Sequence, residues 1–451
     1  MMISINKEPN ISVGILSEEQ INFELHGEYT VAGIKQVFSG RFSAELENKK
    51  IVCRWDNNKI EISDEIIFVP QDIQNESFLL KNVKIGVNFH WERKEKEIFT
   101  GSLKLIKDNN KVTAINILPI ERYLLSVVSS EMSAKSSLQL LKAHAIISRS
   151  WLLAQIEKAK IIKKDNIKNE PFRVDEGEYI RWYGREDHKL FDVCADDHCQ
   201  RYQGVTKVFT EIARQAVKQT AGIVLVVDNK ICDARYSKSC GGITESFENV
   251  WEPVKYSYLS SVVDYKFEPE NYNRNFADEL NVRKWIRGNP PAFCNTKDRK
   301  ILSHVLVDYD QETNDFFRWK IELSQTEISA TIKTKSGMDF GDIIDLIPLE
   351  RGLSSRIIKL KIVGSNKTLI IGKELEIRRV LSQSHLYSSA FIVEKENIQN
   401  NIPQKFIISG AGWGHGVGLC QIGAACMASK GYQFDEILVH YFNKAKLKKI
   451  Y

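Results

Sequence analysis

The chain of 451 residues is poor in the features that would sort it at a glance. Its eight cysteines are scattered at positions 53, 194, 199, 232, 240, 294, 420 and 426. In a chain this long, that excludes the disulfide framework of a small secreted domain. No apolar run reaches the roughly 20 residues of a membrane-spanning helix. Charge is nearly balanced, 63 basic against 58 acidic residues for a net +5, so there is no nucleic-acid signature, although an anionic polymer is compatible with the bias. The start, MMISINKEPNISVGIL, lacks a basic stretch followed by an apolar one, so no signal peptide is visible. Either the chain is cytosolic or a targeting segment was removed. Also missing are G-x-S-x-G, H-E-x-x-H and G-x-x-x-x-G-K-[ST], which argues against triad hydrolases, zinc proteases and phosphate-cradling enzymes. No internal repeat or low-complexity segment occurs.

What is there is globular composition, 43% hydrophobic and 27% charged, too long for one core and calling for two or three domains. The pattern is α+β. Residues 1–105 read as a mainly β region, with ISVGIL, INFELHGEYTVA, KKIVCRW and VKIGVNF alternating or β-branched between polar turns. From Leu118 the period changes. Tyr123, Leu124, Val127 and Val128 lie on one helical stripe, with Pro119 in first-turn position. A second helix is expected over about 137–158, with Ser136 and Gln139 spaced as a capping box. Residues 106–275 make the first part of a mixed α/β core, with a lysine-rich connector over 160–190 and strands at IVLVV and CDARYSKS. Residues 276–384 form an inserted α+β lobe. Residues 385–451 complete the core with a glycine-rich loop and a final helix, DEILVHYF.

Five places carry chemistry. Glu131 closes the first helix, where the helix dipole and partial burial raise a carboxyl's pKa and suit it to deliver a proton; it is equally placed to be a solvated helix end. Arg149 lies among apolar residues, to reach a ligand, pair with a carboxylate or snorkel to the surface. His188, Cys194, His198 and Cys199 put two thiols and two imidazoles within twelve residues, a donor set that favours zinc. Adjacent residues seldom bind one metal without strain, so His188, Cys194 and Cys199 are the expected ligands, with His198 as substitute for His188. The stretch YSKSCGGITES offers the hydroxyl of Ser239 and exposed amides to a sugar or peptide, or is an ordinary hairpin. Finally, GAGWGHGVGLCQIGA, residues 410–424, holds six glycines with Trp413, His415 and Gln421. So many glycines serve a backbone purpose: an extended ligand against bare main chain, or a tight hairpin with positive φ.

Taken in order, ILPIERYLLSVVSSEM, LQLLKAHAIISRSWLLA, SCGGITE and GWGHGVGLCQIGAACMASKGYQFDEILVHYF resemble the SpoIID/LytB family, over about 115–275 and 385–451. The resemblance implies a peptidoglycan lytic transglycosylase that cleaves MurNAc–GlcNAc bonds, or a non-catalytic peptidoglycan-binding protein that recruits or activates a cell-wall amidase. It also implies a place in the cell envelope or periplasm. Glu131 then takes the place of the catalytic glutamate, Arg149 that of the second-helix arginine, and the Cys194–Cys199 segment that of the zinc-binding part of some members. A lytic cut needs one acid, because the sugar's own 6-hydroxyl closes an anhydro ring, whereas ordinary glycosidases need two carboxylates. On this reading the glycine loop and the Glu131 hinge line one cleft, with Trp413 stacking on a sugar and His415 and Gln421 bonding its polar groups. Ser133, His144, Ser148 and Cys420 depart from the family's proline, glutamine, alanine and serine.

Overall fold

Alternation of period two builds the N-terminal region. In strand Gln20–Val31, Ile21, Phe23 and Leu25 are buried and the residues between them are not, as a half-buried strand requires. The computed structural model describes residues 7–86, 92–133, 136–165, 172–175, 177–183, 188–196, 198–206, 210–305 and 315–451. Among these, strands between Asn10 and Pro119 join Val193–Cys194 in an eleven-stranded sheet. Its neighbours are antiparallel, except that Asn10–Glu18 runs parallel to Val193–Cys194, with Val13 facing Val193 and Gly14 facing Cys194. The β region therefore extends to strand Lys111–Pro119, past the expected edge at 105.

The first helix spans Ile120–Glu131 and buries Tyr123, Leu124, Val127 and Val128. Pro119 is its N-cap, one position before the first turn where it was expected. The second helix, Leu138–Asp165, outruns the expected 137–158. Its first turn is met by Ser137, whose Oγ accepts from Leu140 N at 3.4 Å, while the Ser136 hydroxyl donates to the carbonyl of His304. The capping box expected at Ser136 is thus displaced by a tertiary contact.

One hydrophobic cluster runs from the N-terminal sheet through both helices to the C-terminus, taking in Phe23, Leu105, Tyr123, Ile146, Val224, Ile422 and Phe442. A second cluster, around Trp319, Ile328, Leu360, Ile377 and Phe406, draws on residues 319–408. Leu302 and Val305, inside the expected lobe, pack in the first cluster. Phe391 and Ile408, beyond its expected end at 384, pack in the second. In this lobe strand Ile402–Ala411 lies between Arg318–Ser324 and Phe391–Gln399, and it leads straight into the glycine-rich loop. No helix among the described residues is long and apolar enough to cross a membrane. The strand expected at CDARYSKS shrinks to Tyr236–Ser237, and a helix over Gln421–Ser429, not anticipated, follows the loop.

Candidate functional site

Glu131 is the last residue of the first helix, half-buried, where Met132 turns into extended backbone. Its Oε1 accepts from the main-chain N–H of Arg201 at 3.1 Å and from the Tyr236 hydroxyl at 3.4 Å. Its Oε2 receives no hydrogen bond from the described residues. One oxygen is thus fixed and the other is left for a partner. Neither Tyr236 nor the Arg201 amide was anticipated. Tyr236 lies in the YSKSCGGITES stretch, but only tertiary pairing aims its ring at Glu131.

The same tyrosine brings in the glycine-rich loop. Tyr236 pairs with Leu419 and Ser237 with Cys420 in a short parallel ladder. Ser239 and Trp413 then exchange main-chain bonds of 2.9 and 2.8 Å. The loop and the acid, far apart in sequence, therefore meet at one residue.

The loop's glycines, however, serve the protein's own packing. A Cβ on Gly416, at φ +76°, would come within 2.4 Å of the buried Arg356 guanidinium carbon. One on Gly418, at φ +74°, would come within 2.1 Å of the Arg235 carbonyl. This corrects the expectation that bare backbone here makes room for a glycan: the room is already filled by arginine and main chain. Trp413 is half-buried, stacked on Tyr387 at 4.1 Å and tilted against Phe316 at 4.9 Å. His415 Nδ1 accepts from Val417 N at 3.0 Å. Burial, then the charges of Arg235, Arg378 and Arg356, hold its pKa well below the ordinary histidine value, so the ring is neutral. Two members of the expected binding set keep unused hydrogen-bonding groups: Ser239 Oγ and Gln421 Nε2 are buried and have no hydrogen-bond partner among the described residues.

Arg149 does not belong to a binding surface. It is fully buried, and its Nε and Nη2 form a two-pronged pair with Glu121 at 2.8 and 2.6 Å. Its Nη1 donates to the Ile223 carbonyl at 2.9 Å. The expected substrate role gives way to a brace between the two helices and the strand that follows.

His188, Cys194, His198 and Cys199 come together, with one donor atom from each within 4.8 Å of all the others. Cys199 Sγ lies 3.4 Å from His188 Nε2 and 3.5 Å from His198 Nδ1, and Cys194 Sγ lies 3.8 Å from His198 Nδ1. Zinc bonds of about 2.0–2.3 Å put tetrahedral ligand atoms roughly 3.3–3.8 Å apart, so the four groups fit one ion. His198 is thus a fourth candidate rather than a substitute. Cys199 beside it draws Cys194 toward the thiolate, and both imidazoles help, against the opposing effect of burial. The cluster is anchored to the large sheet by the Gly14–Cys194 pairing. Only Gln200 separates it from Arg201, whose N–H holds Glu131.

With this geometry in place, sequence comparison adds a class. Residues 108–227 match the stage II sporulation protein family, SpoIID, and residues 245–418 match a domain of unknown function, DUF8618. The chain thus carries a SpoIID-family domain over residues 108–227. An uncharacterized protein of Brachyspira hyodysenteriae is 26% identical over 346 residues, 76% of this chain and 71% of that protein. Stage II sporulation protein D of Bacillus subtilis is 20% identical over 338 residues, covering 74% and 76%. An amidase enhancer of the same organism is 24% identical over 243 residues, 51% of this chain but 31% of that protein.

Proposed function

We propose that this protein acts on the bacterial cell wall, as a peptidoglycan lytic transglycosylase in which Glu131 is the single acid. The observation that carries the reading is the state of that carboxyl: half-buried at a helix end, with Oε1 held by the Arg201 amide and the Tyr236 hydroxyl and Oε2 bonded by none of the described residues. The groups that hold it are neutral donors, not a second carboxylate, which suits a reaction needing one. Protonated Oε2 gives its proton to the glycosidic oxygen as the bond to MurNAc C1 breaks. The resulting carboxylate then takes the proton of the MurNAc 6-hydroxyl as that oxygen closes onto C1, which leaves an anhydro end and restores the acid. Ser239 and Gln421 are as buried as Arg149, so neither is taken as a contact of the glycan strand. Trp413, one face already on Tyr387, has at most its other face for a sugar.

Zinc at His188, Cys194, His198 and Cys199 serves as a brace: bound there, it ties the segment that ends in the Arg201 amide to the edge of the N-terminal sheet. The substrate places the protein in the cell envelope or periplasm. The amidase enhancer among its relatives supports a second reading, a peptidoglycan-binding protein that stimulates a cell-wall amidase. Incubation of the purified chain with glycan strands decides between them. Anhydro-MurNAc ends are expected by mass spectrometry. Binding without new ends, together with faster release of peptide by an added amidase, would favour the second reading.

A further inference from the structure

A second group of donors plays no part in the chemistry above. Cys240, Asp264, Cys294 and Cys420 are all fully buried, and one donor atom from each lies within 4.8 Å of the other three. Cys240 and Cys294 face each other with sulfurs 3.6 Å apart, beyond disulfide length but within the span of two thiolates on one zinc ion. Cys420 caps the Gln421–Ser429 helix, and its sulfur accepts main-chain N–H groups from Cys240 at 3.2 Å and Gly423 at 3.4 Å. A sulfur receiving two amides at a helix N-terminus is placed to carry negative charge.

Asp264 is built in the same manner. Its Oδ1 accepts the Tyr441 hydroxyl at 2.5 Å and its Oδ2 the main-chain N–H of Cys294 at 2.9 Å. Each oxygen thus accepts one hydrogen bond. Among the described residues no lysine or arginine pairs with Asp264, and the one basic side chain within 4 Å is His440 at 3.9 Å. Gly423 completes the fit, because a Cβ there would stand 2.6 Å from Asp264 Oδ1.

We propose that Cys240, Cys294, Cys420 and Asp264 hold a zinc ion. Three thiolates exclude magnesium and calcium, which prefer oxygen, and the carboxylate oxygen disfavours copper(I), which prefers soft donors. The bonds to Asp264 from Tyr441 and the Cys294 amide are the outer-shell support that a ligating carboxylate ordinarily has. On binding, the three thiols release their protons, so that metal uptake is coupled to pH. The metal is structural: it joins the Tyr236–Gly242 turn, the Asp264 and Cys294 segments and the start of the Gln421–Ser429 helix, so it pins the exit of the glycine-rich loop.

The proposal is independent of the activity assigned to Glu131, while the zinc count of two in its test rests on zinc at the His188–Cys199 cluster as well. Its test is the metal content of the full chain purified without added metal, measured by elemental analysis in the wild type, in Cys194→Ser and in Cys294→Ser. Wild type should carry about two zinc ions, and each variant about one. Cobalt exchanged into the Cys194→Ser protein should show the sulfur-to-metal absorption of a three-thiolate site. Should that variant fail to fold, cobalt-loaded wild type should show the absorption of both sites together, five thiolates in all, and the two-thiolate spectrum of the first site alone would count against the proposal. Zinc lost entirely from folded Cys194→Ser, or an unreduced wild-type mass lighter by the two hydrogens of a Cys240–Cys294 disulfide, would overturn it.

Discussion

The two thiol clusters differ first in how the chain assembles them. His188, Cys194, His198 and Cys199 fall within twelve residues of one another, and the ring is half open to solvent. Cys240, Asp264, Cys294 and Cys420 come from four separate segments and are wholly buried. The first lies one residue from the amide that holds Glu131 and so belongs to the neighbourhood of the chemistry. The second sits under the loop, at the N-terminus of the helix that follows it. A short-range cluster is a local brace whose loss is felt where its segment ends. A long-range one ties elements together and is felt as a loosening of the whole junction.

Five substitutions test this contrast. Glu131→Gln keeps the size and neutral hydrogen bonding of the side chain but cannot exchange the proton. Turnover of glycan strands should fall by about 10²–10⁴-fold, with zinc content unchanged. Turnover at the wild-type rate from a correctly folded variant would remove Glu131 from the chemistry, and with it the functional meaning of the first cluster.

Arg149→Met probes a buried polar arrangement that uses no metal. Arg149 is fully buried and the Glu121 side chain is 17% exposed. Leaving Glu121 without its cation should cost about 3–5 kcal/mol in denaturant unfolding, while the metal content stays at the wild-type value. A loss below about 1 kcal/mol would show that the pair contributes little, as surface pairs do.

Cys199→Ser addresses the first cluster directly. It should lose one zinc ion and lower turnover by about 10–100-fold, because Arg201 no longer holds Glu131 firmly. Cys294→Ser should lose the other ion, lower the melting temperature and change turnover less. Equal losses of turnover in the two variants would erase the distinction between a local and a global brace.

The smallest effect concerns pH. Burial, then the charge of Lys238, pushes His144 down to about 3, from an ordinary value near 6.5. Below about pH 6.5 the unfolded chain takes up a proton on this ring that the folded chain refuses. The folded state therefore loses stability as the pH falls from about 6.5 toward 3, by about 1.4 kcal/mol per pH unit from this one residue. His144→Gln, the residue type of the family, should flatten the slope by that amount when denaturant midpoints at about pH 7 and about pH 5 are compared. An unchanged slope would mean that the ring is protonated inside the fold.

Much of the frame was legible in the residues. Strand alternation such as Ile21, Phe23, Leu25 and the helical stripe Tyr123, Leu124, Val127, Val128 follow from periods of 2 and 3.6, which are local properties. The helix end at Glu131 and the gathering of His188, Cys194 and Cys199 were legible for the same reason. His198 was undervalued because adjacency in sequence suggested strain, whereas the chain bends so that its Nδ1 reaches both sulfurs. Arg149 was misplaced because an arginine among apolar residues has two outcomes, snorkelling or burial with a partner. Only the packing of Glu121 against it chose the second.

The sequence by itself determined the α+β pattern, the acid at a helix end and one compact set of metal donors, because each depends on neighbours a few residues apart. The tertiary structure alone decided what the glycines face, that Tyr236 reaches Glu131, and that three cysteines and an aspartate share one buried point. Those facts depend on which distant segments touch. In Cys240 and Cys420 the contact spans 180 positions, and no spacing rule carries that far; close packing of the core brings them together.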